Sequence, residues 1–142
     1  MTRLHNWASL LDRFIAGSRS ATFHYGAFDC CLWACDCVRI MTGVDIACDF
    51  RGRYQTRSEA LRLIQDATGT RSVRGVALHV TQAFAMPRVA SSFLQRGDVA
   101  LIRRPRDYSL GIVALNGLDI LVPLKTGLRT IPLSAAKSGW RV

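Results

Sequence analysis

Apolar positions recur at three- and four-residue spacing near the start of the chain, where Leu4, Trp7, Leu10, Leu11, Phe14 and Ile15 fall on one face. The pattern predicts an amphipathic helix that stops at Gly17 and the Ser-Arg-Ser run after it. A loop through Phe23-His24-Tyr25-Gly26-Ala27-Phe28 follows. A second helix is expected from Asp29 or Cys30 to Met41, ended by Thr42-Gly43, with the Asp29 carboxylate as N-cap for the first free amides. Residues 44–55, rich in Gly, Asp and Arg, read as loop. Thr56 and Glu59 have capping-box spacing and open a third helix carrying Ala60, Leu61, Ile64 and Ala67 before Gly69. Val76, Val80, Ala83 and Phe84 align a fourth over 72–85.

The period then changes. Residues 98–102, 110–115, 118–122 and 128–132 are short runs rich in Val, Ile and Leu, and Asn116-Gly117 is a two-residue hairpin signal between two of them. N-terminal helices packed on a C-terminal antiparallel β-meander predict an α+β fold. A length of 142 residues leaves room for one domain, 1–142.

Composition narrows the class. A hydrophobic content of 49% and mean hydropathy of +0.15 exclude a disordered tail. No apolar run approaches the ~18 residues of a spanning helix, so no membrane span is expected. The net charge is +9, and 17 of the 19 cations are Arg, Lys125 and Lys137 being the others. Arg forks onto carboxylates and phosphates, which suits contact surfaces. The field attracts nucleic acid, anionic cell-wall polymers or acidic protein alike. The densest patches are Arg51, Arg53 and Arg57, and the turn Arg103-Arg104-Pro105-Arg106. Only Tyr54 falls among them, which makes no series of stacking platforms, and no helix-turn-helix, zinc finger or phosphate-binding loop occurs. Nucleic acid is therefore the weaker partner, and Arg51, Arg53, Arg103, Arg104 and Arg106 are expected to contact protein.

Five Cys stand at 30, 31, 35, 37 and 48, an odd clustered set without a secretory leader, which predicts synthesis in a reducing cytoplasm. Cys31 and Cys35 share a helix face while Cys30 and Cys37 flank it. Such faces do not converge on one ion, so neither a metal nor a cofactor is expected. Cys30 falls in the first turn of the second helix, where the dipole and free amides favour a thiolate and can hold an oxyanion. It is the candidate nucleophile. The alternative is a small buried hydrophobe, the role expected of the other four.

Phe28-Asp29-Cys30 opening an apolar helix resembles the nucleophile motif of the NlpC-type cell-wall cysteine peptidases, a papain-like family. Gly97-Asp98-Val99-Ala100-Leu101 resembles its glycine-aspartate strand, and Gly111-Ile112-Val113 the strand after it. The likeness runs from about Tyr25 to Val113 with the order preserved. Trp7 with Leu10 and Leu11, Tyr25-Gly26, Asp29-Cys30-Cys31-Leu32-Trp33-Ala34, Gly43-Val44-Asp45, Arg51-Gly52-Arg53-Tyr54-Gln55-Thr56 and Trp140-Arg141-Val142 are similar to a family of short phage tail proteins of this fold.

The resemblance implies a papain-like NlpC-type fold with Cys30 at the nucleophile position. It places the catalytic His immediately before the hydrophobic-Gly-Ile step, where this chain has Ser109, a side chain that takes no proton from a thiol near neutral pH. The third polar residue has no match among Ile120-Leu121-Val122. His24, six residues before Cys30, is the candidate substitute base; His79 is expected to be structural. The implied role is a phage tail-tip or baseplate component that has lost peptidase chemistry, made in the bacterial host cytoplasm and carried in the virion tail beside other tail proteins. The alternatives are an active cysteine hydrolase acting on peptidoglycan, and a tail-assembly chaperone absent from the finished particle.

Overall fold

The computed structural model describes residues 1–27 and 29–142. Four helices come first: α1 (Trp7–Ser18), α2 (Leu32–Thr42), α3 (Arg57–Thr68) and α4 (Val73–Ala83). Six strands follow: β1 (Arg88–Ala90), β2 (Val99–Arg103), β3 (Tyr108–Val113), β4 (Asp119–Leu124), β5 (Gly127–Pro132) and β6 (Ala136–Trp140). The fold is α+β.

The helix signals act locally. Thr56 Oγ1 accepts from the Glu59 amide at 3.2 Å, and Glu59 reaches back to the Gln55 amide at 3.1 Å. Ser72 caps α4 by accepting from the Gly75 amide at 3.0 Å. Gly43 and Gly69 close α2 and α3 in the left-handed conformation. α1 differs from expectation at both ends. It begins at Trp7, because the Leu4 amide is taken by the Met41 carbonyl at 2.8 Å. It runs through Gly17 to Ser18, whose hydroxyl donates to the Phe14 carbonyl at 2.8 Å and accepts from the buried Trp33 indole at 2.9 Å. That bond satisfies Trp33 inside the core and sets α1 against α2.

The sheet is antiparallel, in the order β1-β6-β2-β3-β4-β5. The expected meander holds from β2 to β5. The chain then returns so that β6 lies between β2 and β1, two strands absent from the sequence reading. The physical reason is composition: β6 reads Ala-Lys-Ser-Gly-Trp, and β1 is three residues long, so neither carries an apolar run. The connection at Asn116-Gly117 is also longer than a two-residue turn. It spans 114–118, with the Asn116 side chain accepting from the amides of Leu118 and Asp119 and donating to the Asp119 carboxylate.

One face of the sheet packs Val99, Leu101, Leu110, Ile112, Leu121 and Trp140 under the helices. The other face buries Ala100, Ile102, Val113, Ile120 and Val122 beneath Leu94 and Ala136. Burial on both faces explains why β2 to β4 read as continuous apolar runs rather than alternating ones. Each full burial of such a side chain is worth about 1.5–3 kcal/mol.

Candidate functional site

Asp29 is the residue around which the site is built. It is buried, and its carboxylate takes four donors: Oδ1 accepts from the amides of Cys31 at 3.0 Å and Leu32 at 2.8 Å, and Oδ2 from the Gly26 amide at 2.9 Å and the Tyr54 hydroxyl at 2.6 Å. Its carbonyl accepts from the Trp33 amide at 3.1 Å, which makes Asp29 the N-cap of the helical turn leading into α2. Gly26 comes so close to Tyr54 that an added Cβ would fall 1.9 Å from the Tyr54 carbonyl oxygen, at a φ of +84° that side chains resist. Burial and the Asp29 charge together push the Tyr54 phenol well above its ordinary pKa, so it stays a donor.

Cys30 thus stands in the turn that leads into α2, two residues before Leu32, so the helix proper starts later than the Asp29 or Cys30 expected from the sequence. It lines a cleft of about 470 Å³ together with Cys31, Tyr54, Arg57, Arg104 and Ser109, among others. Cys30 and Cys31 are both half-buried. The Cys31 thiol is held far above the usual thiol range by its hydrogen bond with Cys30, by burial and by the nearby Asp29 charge, so it stays protonated.

The cysteines divide differently from expectation. Cys35 and Cys37 are buried packing residues, as expected, but Cys31 faces the cleft and Cys48 is exposed. Cys48 lies in the turn-rich segment after α2, which leaves its thiol outside the core. Among the described residues no three His, Cys, Asp or Glu side chains converge where a metal could be held.

Ser109 stands on β3, opposite Ile102 of β2, and is among the residues that line the cleft. His24 is exposed and absent from the lining; its Nδ1–H donates to the Tyr25 carbonyl at 2.8 Å, leaving Nε2 as the free acceptor. His79, on α4, packs edge-on against Phe50 with ring centroids 6.1 Å apart. The Phe28 position of the nucleophile motif lies outside the described residues.

The arginine patches separate. Arg104 and Arg106 line the cleft mouth, as their loop position suggests, and Arg103 is exposed beside them. Arg53 is exposed elsewhere. Arg51 is engaged inside the molecule: it forks onto Asp45 at 2.8 and 3.0 Å and pairs with Asp36 at 2.8 Å. Those donors hold the 44–55 loop to α2. The sequence reading missed Tyr54 as the Asp29 partner, Arg71 on the cleft wall, and Asp107, whose carboxylate accepts from the amides of Val73 and Tyr108. Each is joined to the site by the fold rather than by spacing; the cation content of 103–106 was the only local signal.

With this geometry the chain is structurally similar to the crystal structure of the NlpC/p60 domain of the peptidoglycan hydrolase SagA, at a TM-score of 0.59 and 14% identity, covering 95% of this chain and 98% of that one. The fold is therefore of the NlpC type. The model of the family described as "Domain of unknown function (DUF6950)" matches residues 2–142, and the chain belongs to that family. No curated protein matches it significantly.

Proposed function

We propose that this is an NlpC-type domain that binds rather than hydrolyses, serving as a tail-tip or baseplate component of a long-tailed phage. One observation carries the first half. Ser109 lines the cleft that holds Cys30 and Cys31, and among the described residues none that lines it is a histidine. Thiol attack on an amide needs a base within hydrogen-bond reach, and losing a member of such a triad costs several orders of magnitude in rate. Cys31 is held protonated, and Asp29 spends its oxygens on four internal donors. The tail assignment rests on the ordered set of sequence motifs, and assembly contacts require no turnover. In this reading the chain is made in the host cytoplasm and carried into the virion.

Purified protein and its Cys30→Ala variant are incubated with peptidoglycan and the soluble muropeptides quantified. The expected result is no Cys30-dependent release, together with copies of the chain in purified virions by mass spectrometry. Release that disappears in Cys30→Ala would establish a hydrolase instead. Virions lacking the chain would establish a non-virion assembly chaperone.

The hydrolase is favoured by two observations: Cys30 lies in the Asp29-capped turn that leads into α2, and the free Nε2 of His24 lies on the preceding loop. It predicts alkylation of Cys30 with a pH midpoint well below the ~8.5 of an ordinary thiol. The non-hydrolytic reading predicts labelling no faster than that of a model thiol.

A further inference from the structure

A cleft without a base still has a lining, and this one is strongly cationic. Arg57 opens α3, Arg71 lies in the α3–α4 connection, and Arg104 and Arg106 belong to the loop between β2 and β3; all four line the same cleft. Among the described residues none of these guanidiniums forms an ion pair, whereas Arg3, Arg39, Arg51 and Arg141 are each held by an aspartate. The two acids of the lining are already occupied. Asp29 is saturated as described, and Asp107 accepts from the Val73 amide at 3.1 and 3.3 Å and from the Tyr108 amide at 2.7 Å.

Those Asp107 bonds also fix the cations in place. Val73 is the first residue of α4, so Asp107 pins the arginine loop to a helix end. The Arg104 amide donates to the Asp107 carbonyl at 2.7 Å and closes the same loop. Arg104 and Arg106 therefore project from a braced turn rather than a free strand end. Between the cations the cleft is aliphatic and aromatic, with Leu61 and Ile64 from α3 beside Tyr25 and Tyr108.

We infer that this cleft binds an acidic peptide segment of a partner protein, its carboxylates taken by Arg57, Arg71, Arg104 and Arg106 and its apolar side chains seated on Leu61 and Ile64. Guanidinium forks match carboxylates in two-bond geometry, and their charge is partly desolvated against an apolar floor. A cleft of about 470 Å³ falls in the size range of ligand sites. A nucleic acid would use the cations but leave the aliphatic floor unmatched, since stacking wants open aromatic platforms. The inference rests on the binding reading above and names its ligand.

The probe is a fluorescein-labelled, N-acetylated hexapeptide of alternating Glu and Leu, compared with its Gln-Leu counterpart and with an oligothymidylate. Binding is followed by anisotropy and by protection of Cys30 from iodoacetamide, read site by site in the mass spectrum, with exposed Cys48 as internal control. The Glu-Leu peptide is expected to bind and to shield Cys30 but not Cys48. The Gln-Leu peptide against wild type, and the Glu-Leu peptide against R104Q/R106Q or R57Q/R71Q, are expected to bind about tenfold more weakly or worse. R13Q, on the exposed side of α1, is expected to bind like wild type. Absent Glu-Leu binding, equal binding of the Gln-Leu peptide, or full binding by both double variants overturns the inference. So does an oligothymidylate that displaces the peptide and itself depends on these arginines. Cleavage of the bound peptide would instead sink the non-hydrolytic reading and leave the binding site standing.

Discussion

The Tyr54 hydroxyl reaches the Asp29 carboxylate at 2.6 Å across 25 residues of sequence, and both groups are buried. A hydrogen bond to a buried charge is worth more than a neutral one, and its loss leaves an acceptor partly desolvated. Tyr54→Phe is expected to lower stability by about 1.5–3 kcal/mol, measured by urea unfolding. Gly26→Ala is expected to cost at least as much, since its Cβ would meet the Tyr54 carbonyl at 1.9 Å. At this scale legibility follows distance along the chain. Asp29 as N-cap was readable because its amide partners are two and three residues away. Tyr54 was not, because nothing in local spacing says that a loop tyrosine folds back onto a helix start.

Two elements carry their own predictions. The chain beyond α4 turns through a Schellman motif: the Met86 amide donates to the Thr81 carbonyl at 2.8 Å and the Ala85 amide to that of Gln82 at 3.1 Å. The left-handed residue in it is Ala85, at φ +51°, where Gly is the usual choice. Ala85→Gly is expected to raise stability by about 0.5–1 kcal/mol, seen as a higher urea midpoint.

The second element is α2, whose start and interior bury thiols. Burial pushes the Cys35 thiol up to about 12, and burial likewise raises Cys37 well above the usual thiol range. In the unfolded chain these thiols ionise near pH 8.5–9. Above that pH the folded state binds more protons than the unfolded one, so stability falls as pH rises. It is fully present below about pH 9 and is lost toward pH 12, at about 1.4 kcal/mol per pH unit for each such thiol. Urea midpoints measured from pH 8 to 11 are expected to fall, with a shallower slope in Cys35→Ala. A flat profile would refute the assignment. The caps of α3 and α4 and the glycine stops of α2 and α3 were readable because they are local, whereas α1, uncapped and running past Gly17, was readable only as an apolar face. β1 and β6 were not, because their stability comes from pairing with β2 and with each other.

At the scale of the molecule the governing residue is Asp98. It has no exposed surface, and it accepts from Arg3 at 2.8 Å, from Arg141 at 2.9 Å, and from the amides of Gln95 at 2.9 Å and Val142 at 3.3 Å. Gly97 beside it packs so tightly on Trp7 that an added Cβ would lie 2.9 Å from the indole ring. The Gly-Asp pair was readable as the start of a strand, but its partners, 95 and 43 residues away, were not. Removing one side of a buried ion pair strands the other, so Asp98→Ala is expected to destabilise by about 3–5 kcal/mol. Arg141→Ala is expected to cost less, because Arg3 and the two amides still reach the carboxylate. Thermal unfolding of both variants orders the two losses.

Because a single carboxylate holds residue 3 and residue 141, the chain is close to a closed ring in space. Its linear order is then one choice among several that would give the same packing. A short Gly-Ser bridge from Val142 to Met1, with the ring reopened at the exposed turn between Lys125 and Thr126, would keep every pairing of the sheet in register. Such a permutant, folding to the same Cys30 alkylation profile, would move both free ends to the β4–β5 turn and make the architecture portable as a binding module.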